Sequence, residues 1–369
     1  MDRICIVAGI YPPETGGPAK FASSFSNWLL RKNCSPSVIT LTNNSSELVN
    51  IDQVEIRKIS RKSSLIIRYL VTAYFINRKS KSGSRIIANG CFIETWLAFL
   101  FTRREYIAKV PGDIVWERAI TKGLFKCSLV EFQSSNLPAK YKIFRFAYSR
   151  SLQRASMVIV PTKELKQICK SWGVSDSKIS VIYNSVATNI FSPVVMEKKF
   201  DVITLSRLVP WKNIDMVIIT CAELSLSLAV IGDGPQMAEL KQLALNTNAN
   251  VTFFGNLEQK FLPELLNSGK IFVLNSTFEA SSYALLEARA CGLVAIARSK
   301  TGSEEVIQNR VDGFLINEEE GLSLKNCLNT VTQSDFGYPE FSLKAISRTR
   351  SLFNIDDNYA KIYKFILES

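Results

Sequence analysis

Two carboxylates stand eight residues apart in the stretch FEASSYALLEARACG, at Glu279 and Glu287, with only small, hydroxyl and apolar residues between them. The stretch follows a strand-like run, KIFVLNS, and passes into a helical pattern from Tyr283 to Cys291. Either Ser281 or Ser282 can cap that helix, whose free first-turn N–H groups then suit a phosphate. Ionised carboxylates only accept hydrogen bonds, so they suit hydroxyl groups. A ligand with a diphosphate in the middle and polyol groups at both ends satisfies all three features: a sugar at Glu279, the diphosphate at the helix start, a ribose at Glu287. Upstream, LSRLVPWKN places Arg207 at the end of a strand and Lys212 five residues on. Two fixed cations can neutralise a diphosphate, the guanidinium by forked hydrogen bonds and the ammonium as a point charge. Read alone, the pair is also compatible, less well, with ordinary loop charge. YPPETGGPAKF holds Gly16-Gly17 before a helix with Pro18 near its start, a second place where backbone can approach an anion or simply turn. In VIGDGPQMAEL, Gly232, Asp233, Gly234 and Pro235 read as turn chemistry.

These motifs need elements that hold them. Short apolar strands alternate with amphipathic helices almost throughout, the pattern of α/β domains with parallel sheets. The first half offers strands at RICIVAG, PSVITL, RIIANG, EYIAKV and SMVIVP, the second at FDVITLSRL, LSLAVIG, NVTFFG, KIFVLNS and LVAIAR. Helices are expected over 19–31, 95–102, 140–154 and 164–172, then over 214–224, 236–245, 262–268 and 284–291. Two such units in tandem predict two Rossmann-like domains, 1–195 and 196–354, with a final amphipathic helix within 355–369 able to pack on either domain, back onto the first among them. Ligands of such sheets sit at the carboxyl ends of the strands, and a cleft between the domains is the expected site.

Composition narrows the chemistry. The chain has 369 residues, 47% of them hydrophobic, enough for two sizeable cores. There is no histidine, which removes the commonest general base and metal ligand. Eight cysteines are scattered singly and read as reduced core thiols of a cytoplasmic protein. No secretion signal or membrane-spanning run is expected. Charge is uneven: residues 1–180 hold 28 basic against 12 acidic side chains, while the rest is slightly acidic. The densest stretch, from Arg57-Lys58 to Arg103-Arg104, interleaves basic pairs with apolar residues. That mixture is compatible with a plain solvated face, and suits an anionic membrane surface better than a nucleic-acid groove. No nucleic-acid partner is expected.

Taken together, GIYPPETGGPAKF, KVPGDIVWE, ISVIYNSV, LSRLVPWKN, IGDGPQMAELKQLA, VTFFGNL, FEASSYALLEARACG and TGSEEVIQNRVDGFLI resemble the retaining GT-B glycosyltransferases of family 4 over nearly the whole chain. The resemblance implies two Rossmann-like domains with parallel sheets facing across a cleft. It assigns the donor diphosphate to Arg207 and Lys212, the transferred sugar to Glu279 and the ribose to Glu287. Ser281, Ser282, Tyr283 and Ala284 fall at the phosphate-binding helix start, Asn256-Leu257 at the backbone meeting the base, and Gly16 and Gly17 under the donor. The chain departs from the family at Ala280 and Ser281, where glycine and a large apolar residue are usual, and at Ser185 and Ala187 in the linker. Where relatives carry a histidine near the reacting carbon, this chain offers Asp113, which is almost as compatible with simply capping a turn, with Glu117 behind it.

The implied activity is transfer of a sugar from a nucleotide donor, UDP type being the family's common choice, to a lipid-linked acceptor in surface polysaccharide or O-antigen-type synthesis. The setting would be cytoplasmic, at the inner face of the membrane. No DxD pair is present, so neither a metal nor another cofactor is expected. With no obvious nucleophile, front-face attack is the expected route. An epimerase or phosphorylase of the same architecture, or a non-catalytic binding module, are the alternatives; the cation pair and both acids speak for the transferase.

Overall fold

The computed structural model describes residues 2–368 apart from 103, 126 and 128. Arg103 of the basic stretch therefore lies outside the described residues. Two compact units emerge, one of residues 1–182 with 356–369, the other of residues 183–355.

The first unit runs β1 (Arg3–Ala8), α1 (Gly17–Arg31), β2 (Ser35–Thr42), β3 (Glu47–Ile51), β4 (Val54–Ser60), α2 (Leu65–Lys81), β5 (Arg85–Asn89), α3 (Phe92–Phe99), β6 (Ile107–Lys109), α4 (Ile114–Thr121), α5 (Leu129–Ser134), α6 (Ala139–Arg154), β7 (Met157–Val160), α7 (Lys163–Ser171) and β8 (Ile179–Val181). Its sheet has the order β3-β4-β2-β1-β5-β6-β7-β8. Every pairing is parallel except that of β3 with β4, which form an antiparallel hairpin at the edge. The inner strands read as apolar runs because helices cover both faces: Ile4 to Ala8 on β1 are fully buried. The exposed hairpin strand β3 alternates weakly and carries Glu47 and Asn50, which hid it from a periodicity reading. α2 escaped for a different reason: apolar residues lie all round it, so no helical stripe stands out.

The second unit contains β9 (Phe200–Leu205), α8 (Ile214–Glu223), β10 (Leu228–Ile231), α9 (Met237–Asn246), β11 (Val251–Gly255), α10 (Leu262–Asn267), β12 (Gly269–Leu274), α11 (Tyr283–Ala290), β13 (Val294–Arg298), β14 (Gly313–Ile316), α12 (Leu324–Thr332) and α13 (Tyr338–Leu352). Its sheet order is β11-β10-β9-β12-β13-β14, all parallel. The chain changes unit at 182/183 rather than at 195/196. Residues 183–195 pack on the second core: Phe191 is buried there, Val186 N–H donates to the Phe353 carbonyl, and Val194 N–H donates to Asn267 Oδ1.

The last helix, α14 (Ile355–Glu368), returns to the first unit and packs on α1. Tyr359 sets its ring edge-on to Phe25, with its hydroxyl 2.6 Å from Ser24 Oγ, and Trp28 Nε1 donates to Asp356 Oδ1. Four aromatic rings in edge and stacked arrangements thus tie the chain end to its beginning.

Candidate active site

The second unit carries most of the expected site residues, and the central ones lie on segments leaving the carboxyl ends of its strands. β12 ends at Leu274, and residues 275–282 form the loop into α11. Ser282 is the N-cap of α11, its Oγ accepting from Leu285 N–H at 3.3 Å. The choice left open between Ser281 and Ser282 thus falls to Ser282, because its backbone is extended while the next residue is already helical. α11 opens with no acidic residue in its first turn, so its dipole end carries no built-in counter-charge.

A clamp from the linker fixes this loop. Asn184 Nδ2 donates to the Ser281 carbonyl at 3.0 Å, and Tyr283 donates its hydroxyl to Asn184 Oδ1 at 3.3 Å. From the sequence Asn184 was only a turn signal; its bonding across about a hundred residues has no local signature. On the other side Gly302 N–H donates to the Glu279 carbonyl at 2.7 Å. A Cβ at Gly302 would lie 1.8 Å from the Ala280 carbonyl oxygen, so only glycine fits there.

Lys212 closes a short 3-10 turn, Pro210–Lys212, ahead of α8. The Trp211 carbonyl accepts from Thr277 N–H at 2.9 Å, and Asn213 Nδ2 donates to the Asn275 carbonyl at 2.9 Å. Asn213 does this from a left-handed backbone, φ 47°, which asparagine tolerates better than most residues. These bonds lay the Lys212 turn along the Glu279 loop. In consequence Lys212 Nζ donates to Glu279 Oε2 at 2.5 Å, with about 15% of either side chain exposed.

Arg207 lies two residues beyond β9, exposed, and makes no ion pair or side-chain hydrogen bond among the described residues. Its loop is held by GDGP: Leu208 N–H donates to the Asp233 carbonyl, and Asp233 Oδ1 accepts from Gly234 N–H, the turn role expected for it. A Cβ on Gly232 would stand 1.9 Å from the Ser206 carbonyl oxygen, which explains the glycine. Asn256 is exposed just past β11, and Leu257 packs partly on the core. Ala284 is half-buried in the first turn of α11. Glu287 is buried, one turn deeper, and its charge helps to push the Cys291 thiol up, though burial of that thiol contributes more.

The first unit holds the others. Gly16 is the N-cap of α1 with φ 147°, where a Cβ would press on Ile10 Cδ1 at 2.8 Å; Gly17 follows as the first helical residue. Arg61 anchors the preceding loop, donating to the Gly9 carbonyl at 2.7 Å and pairing with Glu14 at 3.0 Å. Asp113 departs from expectation. It is fully buried as the N-cap of α4, accepting from Val115 and Trp116 N–H, while Gln133 Nε2 donates to its other oxygen and Arg145 stands 3.6 Å away. Burial, the largest influence, pushes its carboxyl up despite these donors. A carboxylate with both oxygens so engaged builds the KVPGD turn rather than meeting a substrate; Glu117, in the next turn, is the exposed acid of this segment.

Sequence reasoning also passed over Lys109, at the end of β6. It is 3% exposed, its ammonium lies 4.5 Å from the Phe21 ring centre, and burial draws its pKa down to about 7.

Comparison with known proteins agrees with this fold. Residues 186–344 match the model of the family Glycosyl transferases group 1. The chain is 27% identical over 225 residues to an Escherichia coli UDP-Gal:alpha-D-GlcNAc-diphosphoundecaprenol alpha-1,3-galactosyltransferase, covering 54% of this chain and 57% of that protein. It is 28% identical over 156 residues to the N-acetyl-alpha-D-glucosaminyl L-malate synthase of Bacillus anthracis, covering 42% and 36%. The matches therefore span less than two thirds of these relatives' own length. Among solved structures, sucrose-phosphate synthase from Thermosynechococcus elongatus superposes with a TM-score of 0.82 at 16% identity, over 100% of this chain and 99% of that one. Anabaena HepE in complex with UDP-glucose superposes at 0.78 and 18%, over the whole of both. The two parallel-sheet α/β units are those of the GT-B fold, and within the second unit residues 186–344 are similar to the Glycosyl transferases group 1 family.

Proposed function

We propose that this protein transfers a sugar, with retention, from a nucleoside-diphosphate donor of the UDP type to a lipid-linked glycan acceptor in surface polysaccharide or O-antigen-type synthesis. The observation that carries this reading is the Lys212–Glu279 pair, Glu279 on the loop into α11, whose first turn holds no acid, and Lys212 on the adjoining turn ahead of α8, with the exposed Arg207 in the same unit. One acid for sugar hydroxyls and a cation for a diphosphate stand on adjoining loops. The E. coli relative is named for a UDP-sugar donor and a diphosphoundecaprenol acceptor, and HepE binds UDP-glucose; both support the choice of substrates.

In the proposed step the bond between the sugar's C1 and the phosphate oxygen breaks, and its electron pair leaves with the nucleoside diphosphate. The acceptor hydroxyl oxygen bonds C1 from the same face, and its proton passes to the departing phosphate oxygen. Arg207, Lys212 and the first-turn N–H groups of α11 meet the growing negative charge without rearrangement, the preorganised electrostatic device that lowers such barriers. Glu279 leaves Lys212 for the sugar hydroxyls as the phosphate takes its place. These groups supply the charge that a metal would otherwise bring, so none is required. The acceptor's lipid anchor places the enzyme peripherally at the inner face of the cell membrane.

The test is a panel of nucleotide sugars, read first by the rise in thermal unfolding midpoint, since a ligand of the folded state stabilises by mass action. The stabilising donor is then incubated with diphosphate-linked lipid acceptors. Acceptor-stimulated release of the nucleoside diphosphate with a glycosylated lipid product is expected; stabilisation by no nucleotide sugar overturns the reading.

A further inference from the structure

α2 presents an apolar face that the described residues leave open to solvent. Leu65, Ile66, Ile67, Leu70 and Tyr74 each keep more than half of their surface exposed. Ile66, Leu70 and Tyr74 follow the i, i+4, i+8 spacing of one helix side with Ile67 next to them, while Thr72, Ala73 and Ile76 are buried. Five large apolar side chains in fewer than three turns form a patch, not the scattered single exposures normal for a protein surface.

α6 repeats the arrangement. Ile143 and Phe146 are each about two thirds exposed, between Lys142 and Arg150. α3 packs against both α2 and α6 and so joins the two helices. Because α2 and α6 cross over between parallel strands, both begin toward the carboxyl edge of the sheet, the edge where ligands of open α/β sheets bind.

Charge decides what covers this face. Neither α2, LIIRYLVTAYFINRKSK, nor α6, AKYKIFRFAYSRSLQR, contains an acidic residue. Lys62 before α2, Arg78 near its end, and Lys140 and Lys142 in the first turn of α6 are exposed cations. Apolar side chains bordered by lysine and arginine without any acid complement an anionic bilayer: the apolar groups enter the acyl boundary and the cations meet headgroup phosphates. A protein partner's interface would not demand that acids be excluded from both helices.

We infer that the exposed faces of α2 and α6 dock this protein onto an anionic lipid bilayer, with the carboxyl edge of the first sheet turned toward the lipid. The inference deepens the proposed function by giving the lipid-linked acceptor its place of entry, but the surface itself needs neither donor nor acceptor.

The experiment is co-sedimentation of the full chain with vesicles of phosphatidylcholine alone and of phosphatidylcholine mixed with phosphatidylglycerol. Binding to the mixed vesicles only, weakened by added salt, is expected. Ile66→Asp with Leu70→Asp should lower that partition by tenfold or more, roughly the effect of losing two buried aliphatic groups. Its unfolding midpoint should match that of the unaltered chain, because both side chains already face water. Lys140→Ala with Lys142→Ala should reduce the salt dependence instead. Equal partition of the Asp variant, no partition of the unaltered chain, or a dimer of the unaltered chain that the Asp variant abolishes would each overturn it, the last by assigning the face to a second copy. Stabilisation by a nucleotide sugar is read separately, so a failed docking leaves the donor site standing, and a failed donor site leaves the docking result readable.

Discussion

Lys212 Nζ and Glu279 Oε2 lie 2.5 Å apart although 67 residues separate them in the chain. The cation expected to meet a phosphate and the acid expected to meet a sugar are therefore each other's partners before any donor arrives. Two charges held together in this way keep the loops in register, and under the proposed function a donor would exchange this one ion pair for two better-separated contacts.

That exchange separates the roles of the pair. Lys212→Ala should reduce turnover by about a hundred- to a thousandfold, the usual loss for one preorganised donor to a leaving group. Glu279→Gln should also remove turnover, yet leave binding of the bare nucleoside diphosphate unchanged or tighter, because Lys212 is released. Calorimetric titration with the diphosphate alone checks this; equal weakening by both substitutions would contradict the division of labour.

Gly302→Ala places a Cβ 1.8 Å from the Ala280 carbonyl oxygen and 2.8 Å from that of Glu279, so the 278–282 loop has to move. Activity should fall by more than tenfold while the circular dichroism of the folded chain persists, since a displacement of about 1 Å at a reacting group costs roughly a hundredfold. Retained activity would show the loop to be tolerant.

Arg289 is fully buried in α11 and is held by Asp312, NH2 to Oδ2 at 2.9 Å and NH1 to the Asp312 carbonyl at 2.7 Å. Arg289→Leu takes the nearest cation from the buried Asp312 carboxylate and leaves it Arg348, 3.7 Å from Oδ2, and the Gln308 N–H at Oδ1. Breaking such a pair destabilises by about 3–5 kcal/mol. The urea midpoint should fall accordingly, and Arg289→Leu combined with Asp312→Leu should recover part of the loss.

Lys109 gives a pH dependence of known sign. Its ammonium is buried, and its pKa falls to about 7 in the folded chain, against an ordinary value near 10.4 when unfolded. Between these values the unfolded chain binds the extra proton, so stability rises with pH through this window, by at most about 1.4 kcal/mol per pH unit. Below 7 both states are protonated and the contribution is flat. Urea unfolding at pH 7 and pH 9 measures the slope, and Lys109→Met should abolish its share.

Metal independence has its own test. Exhaustive treatment with a chelator should leave turnover within twofold of the untreated protein if, as proposed, Arg207, Lys212 and the α11 terminus neutralise the diphosphate. Loss of activity restored by a divalent cation would overturn that assignment.

The alternation of strands and helices was legible because it is local: a parallel strand buried on both faces is an apolar run, and a crossover helix carries a 3.6-residue stripe. β3 and α2 were not, one being a polar edge strand and the other apolar on every side. The acids of FEASSYALLEARACG and the cations of LSRLVPWKN showed in the sequence because their spacing is fixed by one loop and one helix each. At Asp113 the sequence left a turn cap and a site acid both open, because a buried cap and an exposed acid look alike in a one-dimensional string, and the structure shows the cap.

By itself, then, the sequence determined the kind of chain this is: two α/β units, a phosphate-ready helix start, cations at a strand end, and a basic first half. Tertiary structure alone decided which of these groups meet. The contacts of Lys212 with Glu279, Asn184 with the Ser281–Tyr283 loop, and Gly302 with the Glu279 carbonyl join residues 23 to 99 positions apart. Such contacts follow from the order in which parallel strands are laid side by side, and no local propensity encodes that order.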